Sequence, residues 1–217
     1  MKQKTVSIVG AGIIGVLCAC FLQREGHQVN LYDRGEPGGE TSFGNSGVIS
    51  PSAVVPIAMP GLMNSIPNWF FKSDGPLAMD WNSLPIYLPW LVRFISNSRE
   101  PSARHNSKAL QVLNSECLDL LIPLLKEADS ELLIEKKGML YAYQSDEEFQ
   151  QGQLSREFRK ANSTGAYDLS RAALQDIEPN LSTNFIRGTF FPEAAHSINP
   201  YRPVSYTHLT LPTSDLV

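Results

Sequence analysis

Three glycines within six residues, in Gly10-Ala11-Gly12-Ile13-Ile14-Gly15, have the spacing that brings a backbone against a phosphate. The first permits a tight turn, the second lets the chain approach a pyrophosphate, and the third lets a helix pack close to a strand. Asp33 stands 23 positions after Gly10, where a carboxylate accepts hydrogen bonds from the ribose of an adenosine. These residues can act together only if a strand, a turn and a helix hold them. Thr5-Val6-Ser7-Ile8-Val9 is a short β-favouring run that suits a buried strand. Ile14, Leu17, Cys18 and Phe21 follow at i, i+3, i+4 and i+7, one face of a helix. Gln23-Arg24-Glu25 marks its wet end, and Gly26 can take the left-handed cap. Gln28 to Tyr32 supplies a second strand, ending at Asp33. Together these predict a dinucleotide-binding βαβ unit.

The same opening stretch has competing readings. Val6 to Leu22 carries no charge, follows Lys2 and Lys4, and closes on small residues and cysteines. A secretion signal, a membrane anchor, or an exported lipoprotein acylated at Cys20 with only a binding role would share those features. A spanning helix needs about 20 apolar residues, and each glycine in a helix interior costs up to about 1 kcal/mol relative to alanine. None of these readings explains a strand before the glycines, a helix after them and an acid at the right distance.

The totals narrow the classes further. Of 217 residues 42% are hydrophobic, enough for a packed core. Lysine plus arginine gives 18 against 22 acidic residues, a formal charge of -4 with no basic block, which argues against a nucleic-acid partner. Cys18, Cys20 and Cys117 form no CxxC pair, as suits a reduced intracellular protein. Redox chemistry would therefore have to come from a cofactor. His27, His105, His196 and His208 have no partner at metal-ligand spacing, so no metal site is expected.

The loop "RGEPGGETSFGNSGVIS", Arg34 to Ser50, offers backbone N–H groups and short hydroxyls, which suits a phosphate chain or a flavin edge. "VSIVGAGIIG", "VNLYDR" and "TSFGNSGVISP", in this order and spacing, resemble the FAD-dependent D-amino acid dehydrogenases of the wider D-amino acid oxidase and sarcosine oxidase superfamily. The resemblance extends from Lys4 to about Arg202, more loosely after Pro51. It implies FAD as cofactor, held at Gly10, Gly12, Ile13, Ile14, Gly15, Asp33, Arg34, Thr41, Ser42, Asn45 and Gly47. Many family members have alanine where Gly44 or Ser46 stands, and either small residue is expected to fit beside the cofactor. The implied activity is oxidation of the C–N bond of a small amino-acid substrate, foremost a D-amino acid, with a quinone or oxygen as electron acceptor. A glycine- or sarcosine-type amine oxidase is the alternative within the superfamily. No catalytic side chain is assigned, and the arginine for the substrate carboxylate is expected beyond residue 203. The implied location is cytoplasmic, with peripheral contact on the inner face of the cell membrane as a variant.

The expected fold is α/β: a Rossmann-like FAD-binding βαβ unit plus part of an α+β substrate domain with an antiparallel sheet. Residues 1–50 would belong to the FAD-binding domain and 51–198 to the substrate domain. Residues 52–103 are broken by prolines, and their aromatics, among them Trp69, Tyr87, Trp90 and Phe94, could wall a substrate cavity or touch a membrane surface; with no Lys/Arg face of an interfacial helix in the stretch, they are expected instead to pack a core between domains. Leu110, Leu113, Cys117, Leu120 and Leu124 form a helical stripe that Pro123 should kink or split. "LLIEKKGMLYAY" reads as strand bent at Gly138, Ser145 as a helix cap, "SRAALQDI" as a short helix and "FIRGTFFPE" as a strand. His196 falls in the loop that follows. Asn199-Pro200 begins a new helix, which residues 204–217, "VSYTHLTLPTSDLV", do not continue. That tail resembles translated sequencing-adapter read-through, so the chain reads as an N-terminal fragment, inactive alone.

Overall fold

A computed structural model describes residues 2–61 and 83–204. Trp69 and the tail 205–217 lie outside the described residues. In chain order the elements are β1 (Thr5–Val9), α1 (Ile13–Arg24), β2 (Gln28–Tyr32), β3 (Val48–Ile49), α2 (Leu84–Ser96), α3 (Glu100–Asn114) and α4 (Cys117–Glu127). There follow β4 (Ile134–Glu135), β5 (Met139–Tyr143), α5 (Asp146–Gln151), α6 (Gln153–Ala161), β6 (Tyr167–Ser170), α7 (Arg171–Ile177), β7 (Arg187–Phe191) and β8 (Ala195–Ser197). The chain forms two compact units: Met1–Ser50 with Glu116–Leu140 and Phe191–Val217, and Pro51–Ser115 with Tyr141–Phe190.

In the first unit β1 and β2 pair in parallel, with Val6 opposite Val29 and Ile8 opposite Leu31. Helix α1 connects them, as a parallel pair requires a crossover. It buries Val16, Ala19 and Cys20, a different face from Ile14, Leu17, Cys18 and Phe21. Ile14 is 72% exposed and Cys18 is exposed. Small side chains allow close packing, and Val16 and Cys20 share a buried cluster with Leu124 of α4. A second sheet in this unit has the order β3-β8-β4. Both pairings are antiparallel, setting Val48 and Glu135 on either side of His196.

The second unit packs Val54, Ala103 and Phe158 into its own cluster. The sheet ordered β5-β7-β6 lies largely here; β6 and β7 pair antiparallel, with Leu169 opposite Gly188. Ser145 caps α5, its hydroxyl accepting from the Glu148 N–H at 3.0 Å, and Ser170 caps α7 in the same way. Asp168 accepts from Lys160 Nζ at 2.6 Å and from the Thr189 hydroxyl at 2.8 Å. Burial pushes its carboxyl up, but these donors more than offset that and hold it below the ordinary aspartate value.

Four sequence expectations are corrected. The stripe from Leu110 to Leu124 is divided at Ser115–Glu116 and not at Pro123, which sits inside α4. Pro89 likewise sits inside α2. Each of these prolines removes one intrahelical bond; in α4 the buried Leu118, Leu121, Leu124 and Leu125 hold the helix together. Leu113 is exposed, and so are Tyr87 and Trp90, so these are not core residues. The bend at Gly138, with φ +78°, falls between β4 and β5 as expected.

Candidate functional site

The glycine turn begins where β1 ends. Gly10 donates its N–H to the Tyr32 carbonyl at 2.7 Å and has φ +106°, a conformation that L side chains rarely adopt. Asp33, at the end of β2, accepts from the Ala11 N–H at 2.6 Å and from the Gly35 N–H at 3.1 Å. The Ala11 N–H, then that of Gly35, holds the Asp33 carboxyl below its ordinary value. The acid thus stays ionised and ties the glycine turn to β2.

The three motif glycines differ in what they meet. A Cβ at Gly15 would lie 1.8 Å from the Gly10 carbonyl oxygen, so packing alone demands glycine there. A Cβ at Gly12 would meet only Ser42 Oγ, at an ordinary 3.5 Å, and Gly12 has an unstrained φ of -75°. Protein packing therefore does not require glycine at position 12. The open space lies at the start of α1, where helix geometry leaves the first N–H groups without intrahelical partners and the dipole favours an anion.

The loop after β2 closes over this helix start. Ser42 is buried and accepts from the Ile13 N–H at 3.1 Å. Asn45 donates to the carbonyls of Thr41 and Ser42 at 3.1 and 3.3 Å, and accepts from the Gly47 N–H at 2.7 Å. Gly47 has φ +65°, and a Cβ there would lie 2.6 Å from the Ser197 carbonyl oxygen. Its own carbonyl accepts from the Ser197 N–H at 2.8 Å. Gly44 has open space around it but φ +72°, so alanine would fit by volume while straining the backbone. Ile13, Ile14, Ser42, Asn45 and Gly47 line one cavity of about 350 Å³. Gly10, Gly12, Gly15 and Asp33 frame the turn. Arg34 and Thr41 do not line the cavity: Arg34 is 82% exposed and pairs with Glu40 at 3.2 Å, and the Thr41 side chain is at the surface.

Leu120, Leu121 and Leu124 of α4 and Ser197 of β8 also line the cavity. They are 70 or more positions from the loop, and no spacing in the sequence links them to it. His196 stands in β8 and not in a loop, its Nε2 3.4 Å from Glu135. The cavity combines apolar walls with polar groups and is lined by Ile13 and Ile14 at the start of α1, a composition that fits a dinucleotide carrying a large ring.

The FAD dependent oxidoreductase (DAO) family model matches residues 5–207. The chain belongs to this family. FAD is accordingly its cofactor, and an FAD dependent oxidoreductase of this kind is a flavoprotein with a Rossmann-type nucleotide unit. The D-amino-acid oxidase of Bradyrhizobium diazoefficiens is 35% identical over 202 residues, covering 92% of this chain and 48% of that protein. D-amino acid dehydrogenase 2 of Ralstonia nicotianae is 38% identical over 110 residues, covering 50% of this chain and 26% of that protein. The chain thus spans about half or less of these relatives. The solved glycine oxidase from Geobacillus kaustophilus shares the fold, with a TM-score of 0.57, 14% identity, and coverage of 96% of this chain and 45% of that one.

Proposed function

We propose that the protein oxidises the C–N bond of a D-amino acid, giving a 2-oxo acid and ammonia. The observation that carries this reading is the 35% identity to a D-amino-acid oxidase across 92% of the chain. In this reading the Gly10–Gly15 turn holds the pyrophosphate, Asp33 the adenosine ribose, and the Ser42–Gly47 loop borders the flavin. FAD, when bound, would supply the two-electron acceptor for this oxidation. The chain's own groups position the cofactor: Asp33 fixes the turn, and Asn45 fixes the loop through three backbone contacts. The intact protein given D-alanine without oxygen is expected to lose its yellow flavin band. Reduction by NADPH, with none by D-alanine or any other amino acid, would overturn the assignment.

The electron acceptor in this reading is a membrane quinone or oxygen, and α2 supports contact with a bilayer surface. No residue of α2 is buried; Ile86, Tyr87, Trp90 and Val92 are all exposed. Residues 84–99 contain Arg93 and Arg99 and no carboxylate, in a chain of net charge -4. An apolar helix with aromatics and an adjoining positive charge suits an anionic membrane surface. Among the described residues, no helix is long and apolar enough to cross a membrane. The protein is expected to sediment with phosphatidylglycerol-containing vesicles and less with pure phosphatidylcholine. Trp90→Asp should abolish this, and Arg93→Glu should weaken it. Equal sedimentation of wild type and both variants, or none with either vesicle, refutes the contact.

A further inference from the structure

The loop Arg34 to Gly47 between β2 and β3 is folded by short-range bonds. The Asn45 side chain reaches only Thr41, Ser42 and Gly47, and the Phe43 N–H donates to the Glu40 carbonyl at 2.9 Å. Two bonds tie the loop to the glycine turn: the Ile13 N–H donates to Ser42 at 3.1 Å and the Gly38 N–H to the Ala11 carbonyl at 2.9 Å. Further support comes from one short segment distant in sequence, residues 197–204.

That segment meets the loop at three points. A Cβ on Gly47 would lie 2.6 Å from the Ser197 carbonyl oxygen and 3.0 Å from Pro200 Cγ. A Cβ on Gly38, where φ is +75°, would lie 2.9 Å from Val204 Cβ and 3.4 Å from Tyr201 Cδ2. Between these two approaches the Phe43 ring stands edge-on to Tyr201, with centroids 5.9 Å apart and planes at 78°, a favourable arrangement for two aromatic rings. Phe43 is otherwise 67% exposed. Tyr201 takes part at two of the three points.

The segment is itself firmly placed. The Asn199 side-chain oxygen accepts from the Arg202 N–H at 3.3 Å, and residues 201–204 turn helically. Val204 is fully buried in a cluster with Val16 and Cys20 of α1 and Leu124 of α4. Close-packed side chains resist displacement, so Tyr201 keeps a fixed relation to α1, whose start faces the glycine turn.

We propose that Tyr201 is a positioning residue for FAD: its ring holds Phe43 and Gly38, and so sets the Ser42–Gly47 loop relative to the start of α1. Tyr201 acts through the loop and needs no contact of its own with the cofactor. The assignment rests on the reading that this loop borders the flavin, and is independent of the amino acid oxidised.

The test uses the intact protein with Tyr201→Ala, Tyr201→Phe, Phe43→Ala and the two alanine changes combined. FAD affinity is read from quenching of flavin fluorescence, the flavin environment from its visible absorption bands, and stability from melting of the apoprotein. Tyr201→Ala is expected to weaken FAD binding roughly two- to tenfold, the value of one edge-on ring contact, and to shift the flavin bands. Tyr201→Phe, which keeps the ring, is expected to restore both. The combined variant should lose no more affinity than the weaker single one, because both changes remove the same contact. A Tyr201→Ala protein that melts lower but binds FAD with wild-type affinity and spectrum would overturn the proposal by making the ring structural only. Additive losses in the combined variant, or no restoration by phenylalanine, would overturn it too. If Tyr201→Ala does not fold, Phe43→Ala removes the contact from an exposed position, and wild-type affinity and spectrum there refute the proposal. Asn45→Ala separates the underlying reading, since it loosens the loop from within. Should Asn45→Ala also leave the flavin unaffected, the loop does not border the flavin; should it alone perturb the flavin, the loop reading stands and the role of Tyr201 falls.

Discussion

Gly12→Val is expected to give a folded protein without flavin. The argument turns on what a side chain meets at that position. With φ -75° the backbone is open to any residue, and a Cβ finds Ser42 Oγ at 3.5 Å and no other neighbour within 4 Å. Folding should therefore tolerate the change, so that the wild-type and variant apoproteins melt alike. The side chain would stand where the backbone must approach the pyrophosphate at the start of α1. The purified variant should be colourless and should not take up added FAD. A yellow Gly12→Val protein with stoichiometric FAD would show that the pyrophosphate lies elsewhere.

Gly15→Ala should fail differently. One added carbon would lie 1.8 Å from the Gly10 carbonyl oxygen; Gly15 is held within α1, and Gly10 is tied to the Tyr32 carbonyl of β2. The strand and helix must separate, at a cost of about 3 kcal/mol or more, against a whole-domain margin of about 5–15 kcal/mol. Lower soluble yield and a lower melting temperature of the apoprotein are expected. Equal melting of Gly15→Ala and wild type would mean that the close approach of α1 to the turn is not a feature of the protein in solution. The two glycines of one motif thus have separable demands, one for packing and one for room.

The turn was legible in the sequence because its rules are local. Glycine spacing, the β-favouring run before it and the acid at Asp33 all act within about 30 residues, and the structure places them in β1, α1 and β2. The buried face of α1 was not legible. Periodicity selects large apolar residues, and Ile14, Leu17 and Phe21 do repeat helically, yet they line the cavity. The face packed tightest uses Val16, Ala19 and Cys20, whose small size is an advantage only where another element comes close. Prolines misled in the opposite direction. A local rule breaks a helix at Pro123, whereas four buried leucines outweigh one lost bond. The role of β8 in lining the cavity could not be read at all, because Ser197 reaches Gly47 through a pairing 150 positions away in the chain.

That pairing also sets an order of events during synthesis. Among the described residues strand β3 has one neighbour in its sheet, β8, so Val48 waits for His196. At a translation rate of about 5–20 residues per second, the intervening chain takes on the order of ten seconds or longer to emerge. Through that interval β1 and β2 can pair, being near neighbours in sequence, while the buried face of α1 awaits Leu124. The loop from Thr41 to Gly47 has its Asn45 contacts but no strand to lean on. In the proposed reading a nascent chain completes the phosphate turn before the loop that borders the flavin, so full FAD affinity is expected only once contacts of high sequence separation have formed.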